Sequence, residues 1–136
     1  MIQSLFQIVS NECIAHNTYK MVLSGDVSSI NRPGQFVNIK LKGFFLRRPI
    51  SVCDIDRSEN TLTIVYKVVG KGTEFMSRLP MNEQLDVLAG LGNGYDTSLC
   101  GEHPLLIGGG AGVPPMFLLA KQLISEGKIL MVIGGF

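Results

Sequence analysis

Cysteine is scarce in this 136-residue chain, and Cys13, Cys53 and Cys100 lie too far apart to form the close pairs from which zinc sites and iron–sulfur clusters draw their ligands. They are read as reduced, mostly buried thiols. Histidine is scarcer still. His16 and His103 sit in no recognisable catalytic arrangement, and no close carboxylate pair marks an acid/base couple. No hydrolase or metal site is therefore predicted, and no side chain is assigned a catalytic role. A basic residue is missing before Lys20, which leaves a secretory signal without its charged start. A surplus of one charge is missing too: the formal net charge is +1, and Lys and Arg are scattered without interleaved aromatics, which argues against a nucleic-acid partner. The longest uncharged stretch, Pro104 to Ala120, carries four Gly and three Pro and falls short of the roughly 18 residues that a membrane span needs. Together these absences predict a soluble, cytoplasmic protein.

What is present is enough apolar sequence for a real core, with 46% hydrophobic and 17% charged residues in a length that suits one ordinary domain. The chain divides into two unequal parts. From Gln3 to about Leu91 the pattern is strand-like, with short alternating or β-branched runs at Leu5–Val9, Tyr19–Leu23, Gln35–Ile39, Ile50–Cys53 and Leu62–Tyr66. Several short strands at this spacing predict a barrel or sandwich. Pro33-Gly34 suits the centre of a type II turn, and Arg57-Ser58-Glu59-Asn60 reads as a polar hairpin loop. One helix is expected in this part, capped at Thr73 and stopped by Pro80.

From Pro104 the period changes. Leu105-Leu106-Ile107 is a short apolar strand, Val113 to Glu126 carries Met116, Leu119, Ala120, Leu123 and Ile124 on a helical stripe ended by Gly127, and Lys128 to Ile133 is a second apolar strand. The segment reads as one βαβ unit with a parallel crossover. The predicted architecture is thus mostly β: an antiparallel barrel over residues 1–98, followed by a partial α/β segment over 99–136. A lone two-stranded parallel unit cannot cover both faces of its sheet, so Phe136 is expected to be a truncation rather than a natural end.

Two runs carry the functional reading. Arg47-Arg48-Pro49-Ile50-Ser51 sets a cation and a small hydroxyl around a rigid Pro, and Gly70-Lys71-Gly72-Thr73 ends a strand in a Gly-rich turn that opens a short helix. A planar guanidinium suits a diphosphate or a flavin ring edge, and backbone N–H groups at such a turn suit phosphate. Each run has a plainer alternative: Arg48 as a solvated strand residue, and the Gly-rich run as an ordinary strand-to-helix turn. The latter is not a P-loop, because the upstream Gly is missing and Gly72 separates Lys71 from Thr73. Gly108-Gly109-Gly110-Ala111-Gly112 misses the dinucleotide Gly-x-Gly-x-x-Gly pattern, because Val113 stands where the last Gly is required.

The order of the fragments is more specific than any one of them. Pro33-Gly34-Gln35-Phe36, Arg48-Pro49-Ile50-Ser51, Gly72-Thr73-Glu74-Phe75, Gly90-Leu91-Gly92-Asn93-Gly94-Tyr95 and Gly108 to Pro115 together resemble the ferredoxin-reductase superfamily of flavoproteins. Within it they are most similar to the electron-transfer subunits of NAD-dependent dihydroorotate dehydrogenases. The resemblance implies a Greek-key barrel that binds FAD, followed by an α/β domain that binds NAD. Arg48, Pro49, Ile50 and Ser51 would line the flavin, Val65, Tyr66 and Lys67 would run alongside it, and Gly72 and Thr73 would hold its pyrophosphate. Gly108, Gly109, Gly110 and Gly112 would form a phosphate turn for NAD. In the family, electrons come through a 2Fe-2S cluster from a catalytic partner subunit that oxidises dihydroorotate in pyrimidine biosynthesis, and the flavin passes them to NAD. The cluster's cysteines have no counterpart in this chain, and Ala89-Gly90 stands where the family has Gly-Pro. The 136-residue chain alone is therefore expected not to sustain efficient NADH-linked turnover, and its exposed parallel edge is a candidate for self-association. The alternatives are a ferredoxin:NADP or sulfide-linked reductase subunit, or a non-catalytic flavin-binding interaction module.

Overall fold

The structure is a computed structural model that describes residues 1–135. Six strands, β1 (Ile2–Ala15), β2 (Thr18–Ser24), β3 (Phe36–Lys40), β4 (Arg48–Asp56), β5 (Thr61–Lys67) and β6 (Gln84–Leu91), close into a barrel of order β1-β2-β5-β4-β3-β6. Every pairing in it is antiparallel. β3, β4 and β5 follow one another as hairpins, and β6 returns through helix α1 (Lys71–Ser77) to lie beside β3, which is a Greek key. Five of the strands coincide with runs expected from alternation. The sixth, β6, is the strand that closes the barrel, and the alternation did not single it out.

The period-two pattern explains the barrel's interior. In β5, Leu62, Ile64 and Tyr66 point inward and are almost fully buried, and in β6 Leu85, Val87 and Ala89 do the same. Turn chemistry joins the strands as expected. Gly34 has φ +94° and the Gln35 N–H reaches the Arg32 carbonyl at 3.5 Å, while Asp56 Oδ1 accepts from the Ser58 and Glu59 amides in the β4–β5 loop.

Beyond the barrel, β7 (Leu105–Gly109) and β8 (Met131–Gly135) pair in parallel, with Leu105 opposite Met131, and α2 (Pro114–Ser125) lies between them in sequence. The βαβ reading holds within the described residues; Phe136, where the expected truncation was placed, lies outside them. α2 packs on β4, its Leu118 against the barrel core and Lys121 Nζ 2.8 Å from Asp54 Oδ1.

Three expectations need correction. Thr73 is not the N-cap of α1: Gly70 is, and Thr73 stands at the third helical position. On the α2 stripe Leu119 and Leu123 are buried with Leu106, but Ile124 is 62% exposed, outside the faces of α2 that pack on the barrel and on β7. The cysteines are free but not mostly buried: Cys13 is exposed at the outer end of the long β1, and Cys53 and Cys100 are half-buried.

Candidate functional site

The barrel opens where two of its neighbouring strands stop pairing. The β4–β5 ladder runs from Asp56 opposite Thr61 only as far as Val52 opposite Ile64, with a bulge between Val52 and Asp54. Upstream, Arg48 to Ser51 continue to pair with β3 but not with β5. Pro49 lies in this stretch and has no N–H to give a ladder. A groove of about 360 Å³ occupies the gap, a size ordinary for a small-molecule site.

Eight of the nine residues assigned to the flavin by resemblance line this groove: Arg48, Pro49, Ile50 and Ser51 from β4, Val65, Tyr66 and Lys67 from β5, and Thr73 from α1. Residues up to 25 positions apart in sequence thus meet in one place. The ninth, Gly72, does not line the groove but lies directly under Arg48: a Cβ there would come within 2.7 Å of Arg48 Cζ. Two lining residues escaped the sequence reading, Val69 and Ala111. Val69 is 81% exposed at the rim. Ala111 belongs to the 3-10 turn Gly110–Gly112, so the Gly-rich turn of the α/β segment reaches the groove, although Gly108, Gly109, Gly110 and Gly112 are not themselves in its lining. The juxtaposition of β5 and this turn is a tertiary event with no local signal.

The electrostatics are one-sided. The lining contains two cations, Arg48 and Lys67, and no carboxylate. Neither of the two, nor the neighbouring Lys71, takes part in any of the four ion pairs formed among the described residues. The groove is therefore built for an anionic ligand with apolar surface. Arg48 is held in place: its guanidinium donates to the Leu46 carbonyl, and Cζ lies 5.3 Å from the centroid of the Phe44 ring. Its neighbour Arg47 has a different task. Arg47 Nη2 bonds Asp86 Oδ1 at 3.0 Å while Nη1 reaches the Asn38 and Asp86 carbonyls, which ties β3 to β6. Burial pushes the Asp86 carboxyl up, but the hydrogen bonds from Arg47 and Gln3 outweigh it and hold the group below the usual carboxylate range.

Two of the expected polar contacts are already used within the protein. The Thr73 hydroxyl accepts from the Val69 and Gly70 amides at 2.9 and 3.2 Å and donates to the Gly70 carbonyl, so it shapes the turn. The Tyr66 hydroxyl donates to Asn11 Oδ1 at 2.8 Å and its ring stacks on Tyr19, 5.9 Å between centroids. Burial of that phenol pushes its pKa up. Tyr66 thus contributes a wall rather than an acid. The Ser51 hydroxyl, in the groove lining, has no hydrogen-bond partner among the described residues. The Gly90–Tyr95 run is pinned rather than loose: Gln35 Nε2 donates to the Gly92 carbonyl at 3.0 Å and the Tyr95 N–H to the Pro33 carbonyl at 2.8 Å.

Comparison with known proteins agrees with this geometry. No family model matches the chain. It is 47% identical over 135 residues to the dihydroorotate dehydrogenase B (NAD(+)) electron transfer subunit of Fusobacterium nucleatum, covering 95% of this chain and 52% of that protein. The protein of the same name from a Geobacillus strain is 42% identical over 142 residues, covering 100% of this chain and 55% of that protein. The chain spans about half the length of the curated relatives it matches. Among solved structures, an NADH-dependent reduced ferredoxin-NADP oxidoreductase superposes with a TM-score of 0.86 at 32% identity, over 97% of this chain and 48% of that one. Phthalate dioxygenase reductase, at 21% identity and a TM-score of 0.81 over 97% of this chain and 43% of that one, shares the fold. The chain is thus similar, over nearly its whole length, to about half of the electron transfer subunits of dihydroorotate dehydrogenase B, and it has a ferredoxin-reductase-like fold.

Proposed function

We propose that this chain binds FAD in the β4–β5 groove and acts as the flavin-carrying part of an electron-transfer subunit, passing electrons from a dihydroorotate-oxidising partner subunit to NAD. The observation that carries the reading is the convergence of Arg48–Ser51, Val65–Lys67 and Thr73 on one groove that has cations and no carboxylate. These residues fit a flavin. Ile50, Val65 and the Tyr66 ring supply apolar wall, the Ser51 hydroxyl a polar contact for the ring's rim, and Arg48 with Gly72 and Thr73 the phosphate end. Residues 1–98 would be the FAD-binding part and 99–136 the start of the NAD-binding part. When bound, the flavin supplies the redox chemistry, exchanging electrons with a partner and with a nicotinamide.

The protein's contribution is to orient and to tune. Arg48 places a fixed positive charge beside the ligand, the β4 and β5 walls exclude water from its apolar faces, and the turn at Gly110–Gly112, which meets the same mouth through Ala111, would serve as a nucleotide-binding loop. A nicotinamide held by that turn would meet the flavin there. The three cysteines do not fit a 2Fe-2S cluster: they lie on β1, β4 and the linker, and no group of three His, Cys, Asp or Glu gathers among the described residues. Among those residues no helix is long and apolar enough to cross a membrane.

Titration of the purified protein with FAD and with FMN, followed by absorbance and flavin fluorescence, tests the assignment. FAD is expected to bind more tightly, because the turn at Gly70–Thr73 lies next to Arg48 and suits a pyrophosphate. Release of FMN alone on heating, or no spectral change with FAD, would overturn it. Anaerobic addition of NADH to the loaded protein then reads electron exchange as bleaching of the flavin band.

A further inference from the structure

Of the groove's two cations, Arg48 is not a free side chain. Between β3 and β4 the chain makes a turn closed by the Phe44 N–H on the Leu41 carbonyl at 3.1 Å, with Gly43 at φ +86°. The turn turns the Phe44 ring against Phe75 of α1, 5.7 Å between centroids, and the exposed side of the same ring lies under the Arg48 guanidinium. Gly72 covers the guanidinium from α1, where any side chain would overlap it. Arg48 is therefore enclosed by an aromatic face, a glycine and the Leu46 carbonyl, although it belongs to an exposed strand end.

We propose that Phe44 is a positioning residue for flavin binding: seated on Phe75, it acts as a platform that pre-orients Arg48 toward the ligand. The inference rests on the reading of the groove as a flavin site. A flexible arginine loses rotamer freedom when it engages an anion, and a side chain already fixed loses less. Phe44 and Phe75 supply the fixing without competing for the guanidinium's outward donors, since a ring face offers no hydrogen-bonding atom. The role explains why an aromatic residue, rather than any apolar one, stands in this turn.

Two measurements test the proposal, one with flavin and one without. In FAD titrations, Phe44→Leu, which keeps apolar bulk but removes the quadrupole, is expected to weaken binding about 3- to 10-fold, with the melting temperature lowered by the lost ring packing on Phe75 but the protein still folded at the titration temperature. Phe44→Tyr is expected to restore binding, and Phe44→Leu should add nothing in an Arg48→Ala background. In the flavin-free protein, the Arg48 Nε–H resonance, identified by its loss in Arg48→Lys, should be shifted upfield by the ring and return downfield in Phe44→Leu. Unchanged FAD affinity in Phe44→Leu, an undiminished effect in the Arg48→Ala background, or an Nε–H resonance that Phe44→Leu does not move would each overturn the inference. Arg48→Ala with full FAD affinity would instead overturn the flavin reading of Arg48, and the Nε–H shift would still decide where its side chain is held.

Discussion

Gly72→Ala separates a binding role from a folding role at one position. Gly72 is the second residue of α1, buried, and its φ is not in the left-handed region, so the backbone accepts alanine. The added Cβ would lie 2.7 Å from Arg48 Cζ, well inside contact distance. The three nearest atoms all belong to the end of a flexible side chain, and the guanidinium moves instead of the helix. Two stability terms then nearly cancel. Alanine for glycine in a helix gains roughly 0.5–1 kcal/mol, and the displaced guanidinium forfeits its contact with Phe44, roughly 0.5–1 kcal/mol. The melting temperature should stay within about 3 °C. Flavin binding has no such compensation. A charge-assisted contact from Arg48 is worth about 1.5–3 kcal/mol, so FAD affinity should fall by about 10- to 150-fold. Fluorescence-quenching titration gives the affinity, and thermal melting of the flavin-free protein gives the stability. Wild-type affinity in this variant, or a melting temperature lowered by far more than a few degrees, would refute the placement of Arg48 over Gly72.

The adjacent arginines should separate cleanly: Arg48→Ala is expected to weaken FAD binding by about 1.5–3 kcal/mol at little cost in stability, whereas Arg47→Ala, which breaks the bridge between β3 and β6, should cost about 1–3 kcal/mol of folding and leave FAD affinity nearly intact. Denaturant melts with parallel FAD titrations read both. Phe6→Ala removes a fully buried ring from the barrel core and should destabilise by about 3–5 kcal/mol in the same melts. Asp86 has a folded-state pKa below its unfolded value of about 4, so its contribution, about 0.5–1 kcal/mol for a partly exposed pair, is complete above that pH and disappears as the pH falls through the lowered folded value. Asp86→Asn should remove that contribution at neutral pH and reduce the acid loss of stability, which pH-dependent urea midpoints would show. Asn11→Ala frees the Met76 and Leu79 carbonyls at the end of α1 and the Tyr66 hydroxyl, and should cost about 1–3 kcal/mol; a loss under 0.5 kcal/mol in urea melts would mean that water replaces all three bonds.

Much of this protein is determined locally. Alternation over Leu62–Tyr66 places Leu62, Ile64 and Tyr66 on one side of a strand whatever surrounds it, and Pro33-Gly34 turns wherever it occurs. The order of the short motifs carried the ferredoxin-reductase likeness and, with it, eight residues that share one groove. What the chain could not reveal in one dimension depends on direction and closure. β6 completes the barrel only because it returns beside β3, and the alternation in its Gln-Leu-Asp-Val start is too short to mark it as the closing strand. The two adjacent arginines look alike in sequence, yet Arg47, just before β4, reaches Asp86 while Arg48, the strand's first residue, lines the groove. Thr73 looks like a cap, but Gly70, free of a Cβ, begins the helix and takes Thr73 as its partner. Ile124 keeps the helical period of its stripe and is still exposed, because which arc of a helix is covered depends on the elements that pack on it. Phe44 meets the guanidinium of Arg48 only because the β3–β4 turn folds its ring back, and Ala111 reaches the groove from the α/β segment, with no neighbour in sequence to announce it. Local sequence decides backbone preference and side-chain period, whereas the meeting of side chains from distant segments is decided by the packing that encloses them.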